Sequence, residues 1–477
     1  MSRFFIVFIA FCVLAAAPHQ AQSQTPAEAS VTIGPEESGN WSVEYSFAEP
    51  QNVLAFVRSK SDFREPTWSL TSDNARFGRV AGIDVIVFDE PAKEVSFSII
   101  PLTSKLVADY TPFVTFADGS VAVYEGQFGL APVDSLDAVS DLEGDTANIE
   151  APALAMDVNF SSDTPIIVDG QVHEGSISHR IEGDGTYIYT GTGKIEPFDS
   201  FTVVLDARLP AWLRERFAGD LEAIFTGFEQ LWGFELQNKA TVMLAYKGAG
   251  AKGFSATGGA LHQLLMMEIG GADISEPDPN TLSYLHWFFA HEAAHLFQTD
   301  KGVTFASGGG SWIHEGAANT MAYNLIASML EGDGGRQFLQ GVYARAFDEC
   351  VSVLEDGPLA TAGERDGFSA HYSCGDFVAL ATDGFLKRRD LYGFWNRLIS
   401  QAGGNDARQV NLTTYFATLQ ILGATPAQRR SIERIVEGQP DDPRKALTTL
   451  LEKAGLAPKF SAGGELISLD WPDYSAE

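Results

Sequence analysis

Basic residues are scarce in this chain: 32 Lys and Arg stand against 63 Asp and Glu in 477 residues, a formal charge of −31. A surface with that balance repels phosphate backbones, which excludes nucleic acid as a natural partner. Cysteine is scarcer, with three residues, too few and too scattered to form a cysteine metal site. Internal repeats and low-complexity arrays are absent, which excludes solenoid architectures. Beyond the N-terminus no apolar run is long enough to cross a bilayer. What is present is ordinary globular material, 45% hydrophobic and 20% charged, enough for two or three domains with full cores.

The one long apolar run, Phe4 to Ala17, follows Arg3 and precedes Pro18 and a polar stretch. Ala21-Gln22-Ser23 fits the small-x-small rule for cleavage before Gln24. This reads as a signal peptide over 1–23, so the expectation is an exported protein, periplasmic or secreted, with no stable membrane span after cleavage. Two cysteines then remain, Cys350 and Cys374. In an oxidising compartment they form either a single disulfide or two buried thiols.

Residues 24–200 read as a β-rich domain of sandwich or saddle type. Trp41 to Phe47 and Val95 to Ile99 alternate apolar and polar, Val85 to Phe88 is a buried run, and Thr186 to Thr190 follows a Gly-Asp-Gly turn. The acidic stretch 133–151 reads as a long loop. Pro210 to Gln230 has helical spacing, and Thr241 to Tyr246 reads as a strand. From about 280 the segments are helical: Thr281–Thr299, Trp312–Leu330, Arg336–Phe347, Phe377–Arg388, Thr425–Glu437 and Pro443–Ala454. A C-terminal helical region is expected over 401–477.

The chemistry lies in His291-Glu292-Ala293-Ala294-His295. Two His four apart stand about 40° apart around a helix, one turn above each other, so both rings reach one tetrahedral ion. Glu292 stands beside them, able to touch a metal-bound water without ligating the metal. Zinc lowers the pKa of such a water to about 7, so a carboxylate can take its proton near neutrality. The flanking Trp287, Phe288, Phe289, Leu296 and Phe297 make the helix apolar, and buried polar residues on it need a partner such as a metal. Downstream, a glycine turn leads into Trp312-Ile313-His314-Glu315-Gly316-Ala317.

With these residues the sequence resembles the gluzincin metallopeptidases of the aminopeptidase N and glycyl aminopeptidase types. The resemblance implies a multidomain α+β fold: an N-terminal all-β sandwich-like domain, a thermolysin-like, mainly helical catalytic domain over 201–400, and C-terminal helices. It implies one zinc ion on His291, His295 and Glu315, with Glu292 as general base. Nineteen residues separate His295 from Glu315, one more than the common family spacing, which would land on His314. Glu315 is preferred because the residues around it match the family pattern, and His314 is the alternative.

Two further segments carry the resemblance. Thr257-Gly258-Gly259-Ala260-Leu261 lies where the family has a strand that binds peptide backbone, which makes Gly258, Gly259 and Ala260 substrate-binding candidates. The family's amine-holding Glu has no match there, and Glu268 lies nearby in sequence only. Tyr372-Ser373-Cys374-Gly375, 57 residues after Glu315, matches a family segment whose Tyr stabilises the oxyanion, with His371 as runner-up. The implied function is zinc-dependent hydrolysis of peptide or protein substrates. The rival reading is a catalytically inactive peptide-binding protein on a gluzincin scaffold.

Overall fold

The computed structural model describes residues 27–470 apart from 105, 107, 108, 182, 251, 307, 308, 387, 388, 405 and 406. The signal-peptide reading of 1–23 lies outside the described residues. Among the described residues no helix is long and apolar enough to cross a membrane.

The N-terminal part is an eleven-stranded, curled sheet, antiparallel except where Ala29–Pro35 runs parallel to Met156–Val168. Alternation decides which face is buried: in Trp41–Phe56 the first alternate residues, Trp41, Val43, Tyr45 and Phe47, are all buried. They join Val31, Phe97, Val158 and Phe160 in one aromatic-rich core. A charged group is sealed inside this sheet. Arg64 is fully buried and bonds Asp84 at 2.8 Å, while Asp84 also takes Arg79 at 2.7 Å. Arg64 further donates to the carbonyls of Arg58 and Gln127, both at 2.7 Å. The stretch expected as a loop over 133–151 contains the helix Leu136–Asp141, capped by Ser135, and a short turn of 3-10 helix, Thr146–Asn148.

A second, five-stranded sheet follows, in the order Ile195–Pro197, Phe201–Leu205, Ala240–Tyr246, Leu264–Gly270 and Ser255–Leu261. Its three central strands are parallel and buried at every position, as expected for a sheet covered on both faces. The helices Ala211–Trp232 and Pro279–Thr299 belong to the core cluster on one face, which includes Leu213, Phe217, Phe228, Phe289 and Phe297. On the other, Met243, Ala245, Leu264 and Met266 share a cluster with Tyr124, Tyr187 and Tyr189 of the N-terminal sheet. The two sheets are therefore joined through a common apolar layer, and this brings N-terminal residues such as Tyr110 beside the edge strand Ser255–Leu261.

The helical part differs in places from its sequence reading. The helix expected over Phe377–Arg388 is Ser369–Phe385, so Tyr372 is helical. Arg336–Phe347 extends to Gly334–Asp356. Two helices outside the segments named from the sequence are Leu391–Gly403 and Leu412–Ile421, the second within the helical region expected over 401–477. The C-terminal region is not wholly helical: Ala457–Phe460 and Leu466–Asp470 form an antiparallel hairpin, turned at Gly464 with φ +89°.

Cys350 and Cys374 are bonded, with Cα atoms 4.8 Å apart, which settles the choice left by the sequence. The bridge ties Gly334–Asp356 to the helix that carries Tyr372. Its 24-residue separation corresponds to roughly 3.5 kcal/mol of lost unfolded-state entropy.

Candidate metal centre

The helix Pro279–Thr299 starts with Asp278, whose side chain accepts from the Thr281 N–H at 2.7 Å, and with proline in its first turn. Tyr284, Phe288, His291 and His295 follow one another at spacings of four, three and four, so they line one stripe of that helix. Glu315 lies in the first turn of the next helix, Trp312–Met329, where a negative charge suits the helix dipole. His291 Nε2 and His295 Nε2 stand 3.1 Å apart, and Glu315 Oε2 lies 3.1 and 3.2 Å from them.

These distances fit a metal. Ligand atoms at the corners of a tetrahedron with bonds of 2.0–2.1 Å are about 3.3 Å apart, and His, His and carboxylate is a known catalytic zinc set. Three donor atoms facing one point also make poor partners for one another without a cation. Burial opposes the Glu315 charge, but the His295 charge and hydrogen bonds from His291, His295 and His314 outweigh it and hold the carboxyl well below its usual range. Burial likewise pulls His295 down, and the Glu315 charge overrides it, raising His295 to about 9.

The second layer sets the tautomer of His295. Gln298 Nε2 donates to the His314 carbonyl at 3.1 Å, which leaves Gln298 Oε1 to accept from His295 Nδ1 at 2.8 Å. With Nδ1–H engaged by Gln298, Nε2 is the nitrogen turned to the cluster, and in the neutral ring that a metal requires its lone pair faces there. Trp287 packs 5.8 Å from the His291 ring and donates its indole N–H to Asn319 Oδ1 at 2.9 Å. Neither Gln298 nor Asn319 was singled out from sequence. A polar residue three positions after His295 on an apolar helix was the available signal for the first.

His314 is placed differently from Glu315. Its ring stacks on Phe305 at 4.4 Å, and its carbonyl serves Gln298. Among the described residues the donor atoms that converge are those of His291, His295 and Glu315.

Tyr372 reaches the cluster through a close helix contact. A Cβ on Gly316 would lie 2.0 Å from the carbonyl carbon of Gly375, so the two helices touch backbone to backbone there. Tyr372, one turn before Gly375, is thereby held 5.5 Å from the His291 ring. Burial and then the charges of Glu315 and Glu292 push its phenol up, keeping it protonated. His371 instead faces Gly363, where a Cβ would meet its Nε2 at 3.4 Å. The Gly316→Val variant is expected to lose about 3 kcal/mol or more of stability, because a branched side chain cannot enter that contact. Chemical denaturation measures this, and a loss under about 0.5 kcal/mol would show that the contact is slack.

Glu292 is half-buried beside three phenols, since its charge helps raise Tyr110, Tyr284 and Tyr372. Ser255–Leu261, with Gly258, Gly259 and Ala260, is the edge strand of the five-stranded sheet and pairs with Leu264–Gly270. The two glycines differ. A Cβ on Gly258 would fall 1.9 Å from the Met266 carbonyl oxygen, so the neighbouring strand itself requires glycine there. Glycine at 258 thus has a cause besides the approach of a substrate. At Gly259 the nearest group is the Tyr110 hydroxyl at 3.6 Å. A cavity of about 1100 Å³ runs alongside, walled by Thr257, Gly258, Glu268, Tyr110, Tyr284 and Phe288. Glu268 is thus placed at the cavity, paired with Lys247 Nζ at 2.8 Å.

A histidine pair on one buried helix, a glutamate on the next and an edge strand alongside make up the candidate site. No protein-family model and no curated protein matches the chain. The structure is similar to that of the aminopeptidase N family protein from Idiomarina loihiensis, with a TM-score of 0.64 at 12% identity over 91% of this chain and 79% of that one. It is also similar to yeast LTA4 hydrolase in complex with bestatin, with a TM-score of 0.48 at 11% identity over 92% and 72% of the two chains. The first likeness shows the fold: an N-terminal curled sheet followed by a mixed, largely helical part, arranged as in that protein.

Proposed function

We propose that the protein is an exported, single-zinc peptidase of aminopeptidase-like type, acting on peptide or protein substrates. The observation that carries this is the convergence of His291 Nε2, His295 Nε2 and Glu315 Oε2 within 3.2 Å, with Glu292 and Tyr372 beside them. A zinc ion held there supplies a Lewis acid and a water of lowered pKa. Glu292 takes a proton from the attacking water and returns it to the leaving amine. The Tyr372 hydroxyl donates to the negative charge that develops on the carbonyl oxygen. The edge strand Ser255–Leu261 holds the peptide backbone by strand addition.

Metal analysis and a fluorogenic panel with free and blocked N-termini test this reading. One zinc per chain and hydrolysis that a chelator abolishes and zinc restores are expected. Peptide binding without zinc and without turnover would replace it with a non-catalytic peptide binder.

A further inference from the structure

The outer side of Ser255–Leu261 is where a substrate strand would add, since among the described residues this strand pairs on one side only. One residue from the N-terminal part stands across it. The Tyr110 hydroxyl donates to the Ala260 carbonyl at 3.3 Å, and a Cβ on Gly259 would meet the same hydroxyl at 3.6 Å. A free edge carbonyl would otherwise accept from the peptide.

This tyrosine is not a loosely held surface residue. Its ring packs 5.0 Å from that of Tyr124, and Arg58 lies 5.9 Å from its centroid. Arg58 in turn bonds Asp109 and Asp184, each at 2.8 Å. Gln127 Nε2 donates to the Tyr110 carbonyl at 3.3 Å and to Asp109 Oδ2 at 3.2 Å. Buried Arg64 holds both Arg58 and Gln127 by their carbonyls. The loop that presents Tyr110 is thus tied to the core of the N-terminal sheet, more than needed to pack one ring.

We propose that Tyr110 is a specificity-determining residue that ends the substrate strand at the Ala260 end of the edge. This rests on the peptidase reading above and deepens it. A chain terminus fits against the ring, and an extended chain continuing past Ala260 meets it. The cleft is therefore selective for substrates whose scissile bond lies near a chain end.

The test compares zinc-loaded wild type with the Tyr110→Ala and Tyr110→Phe variants on a free tripeptide and an N-acetylated octapeptide containing the same scissile bond. Wild type is expected to favour the tripeptide. Tyr110→Ala should raise the octapeptide-to-tripeptide ratio of kcat/KM by at least about tenfold, and Tyr110→Phe, which keeps the ring, by no more than about fivefold, the worth of one hydrogen bond. The dissociation constants of the same two peptides, measured in a Glu292→Gln background, should shift in the same direction. Tyr110→Phe and the binding series decide the matter if Tyr110→Ala does not fold. A ratio unchanged in both variants overturns the stop and leaves the peptidase reading standing. No cleavage and no binding of either peptide overturns both.

Discussion

Replacing Glu292 by Gln is expected to leave zinc bound and to lower kcat by about 10²–10⁴-fold. The amide keeps the shape of the side chain but cannot accept and return a proton. Glu292 is not among the three converging donors, so metal content should stay at the wild-type level. The substitution has a second readout independent of turnover. The negative charge of Glu292 helps raise the phenols of Tyr110, Tyr284 and Tyr372. A negative neighbour disfavours a phenolate, so its removal should lower these pKa values, that of Tyr110 from about 12. Spectrophotometric tyrosine titration follows this. Full peptide turnover by the variant would remove Glu292 from the mechanism.

The second large effect concerns the third ligand. Glu315→Ala should weaken zinc by well over 100-fold, more than the loss of an outer hydrogen-bond partner causes. It also removes the charge that lifts His295 to about 9, so burial should bring that imidazole back down. His314→Ala should keep stoichiometric zinc, because the His314 ring is engaged with Phe305 and its backbone carbonyl, which the substitution retains, is what holds Gln298. Equilibrium dialysis against a competing chelator separates the two. Zinc lost from His314→Ala and kept by Glu315→Ala would move His314 into the site.

Where the sequence was legible, the physics was local. Alternation in Trp41 to Phe47 and continuous apolar runs such as Thr241 to Tyr246 follow from side-chain periodicity, and they showed the β-rich part and a core strand. The helix of Tyr372 was partly missed because Ser369 to Gly375 is rich in weak helix formers, and glycine costs about 1 kcal/mol relative to alanine in a helix. Packing overrides that cost, since only glycine at 316 and 375 lets the two backbones touch. The C-terminal hairpin was missed for a related reason, its strands being four and five residues long.

Sequence alone therefore determined the pairing of His291 with His295 and the station of Glu292, because one helical turn fixes the relation of residues four apart whatever surrounds them. It also determined the class of fold through patterned burial. Tertiary structure decided that the donor atom converging with the two histidines is that of Glu315, since one residue along a helix turns the side chain by about 100° and only the neighbouring helix defines which direction faces the histidines. It likewise decided the joining of Cys350 to Cys374 and the arrival of Tyr110, 150 residues before Ala260, at the edge strand. The first depends on how two helices pack and the second on how two sheets share one apolar layer, and no local spacing encodes either.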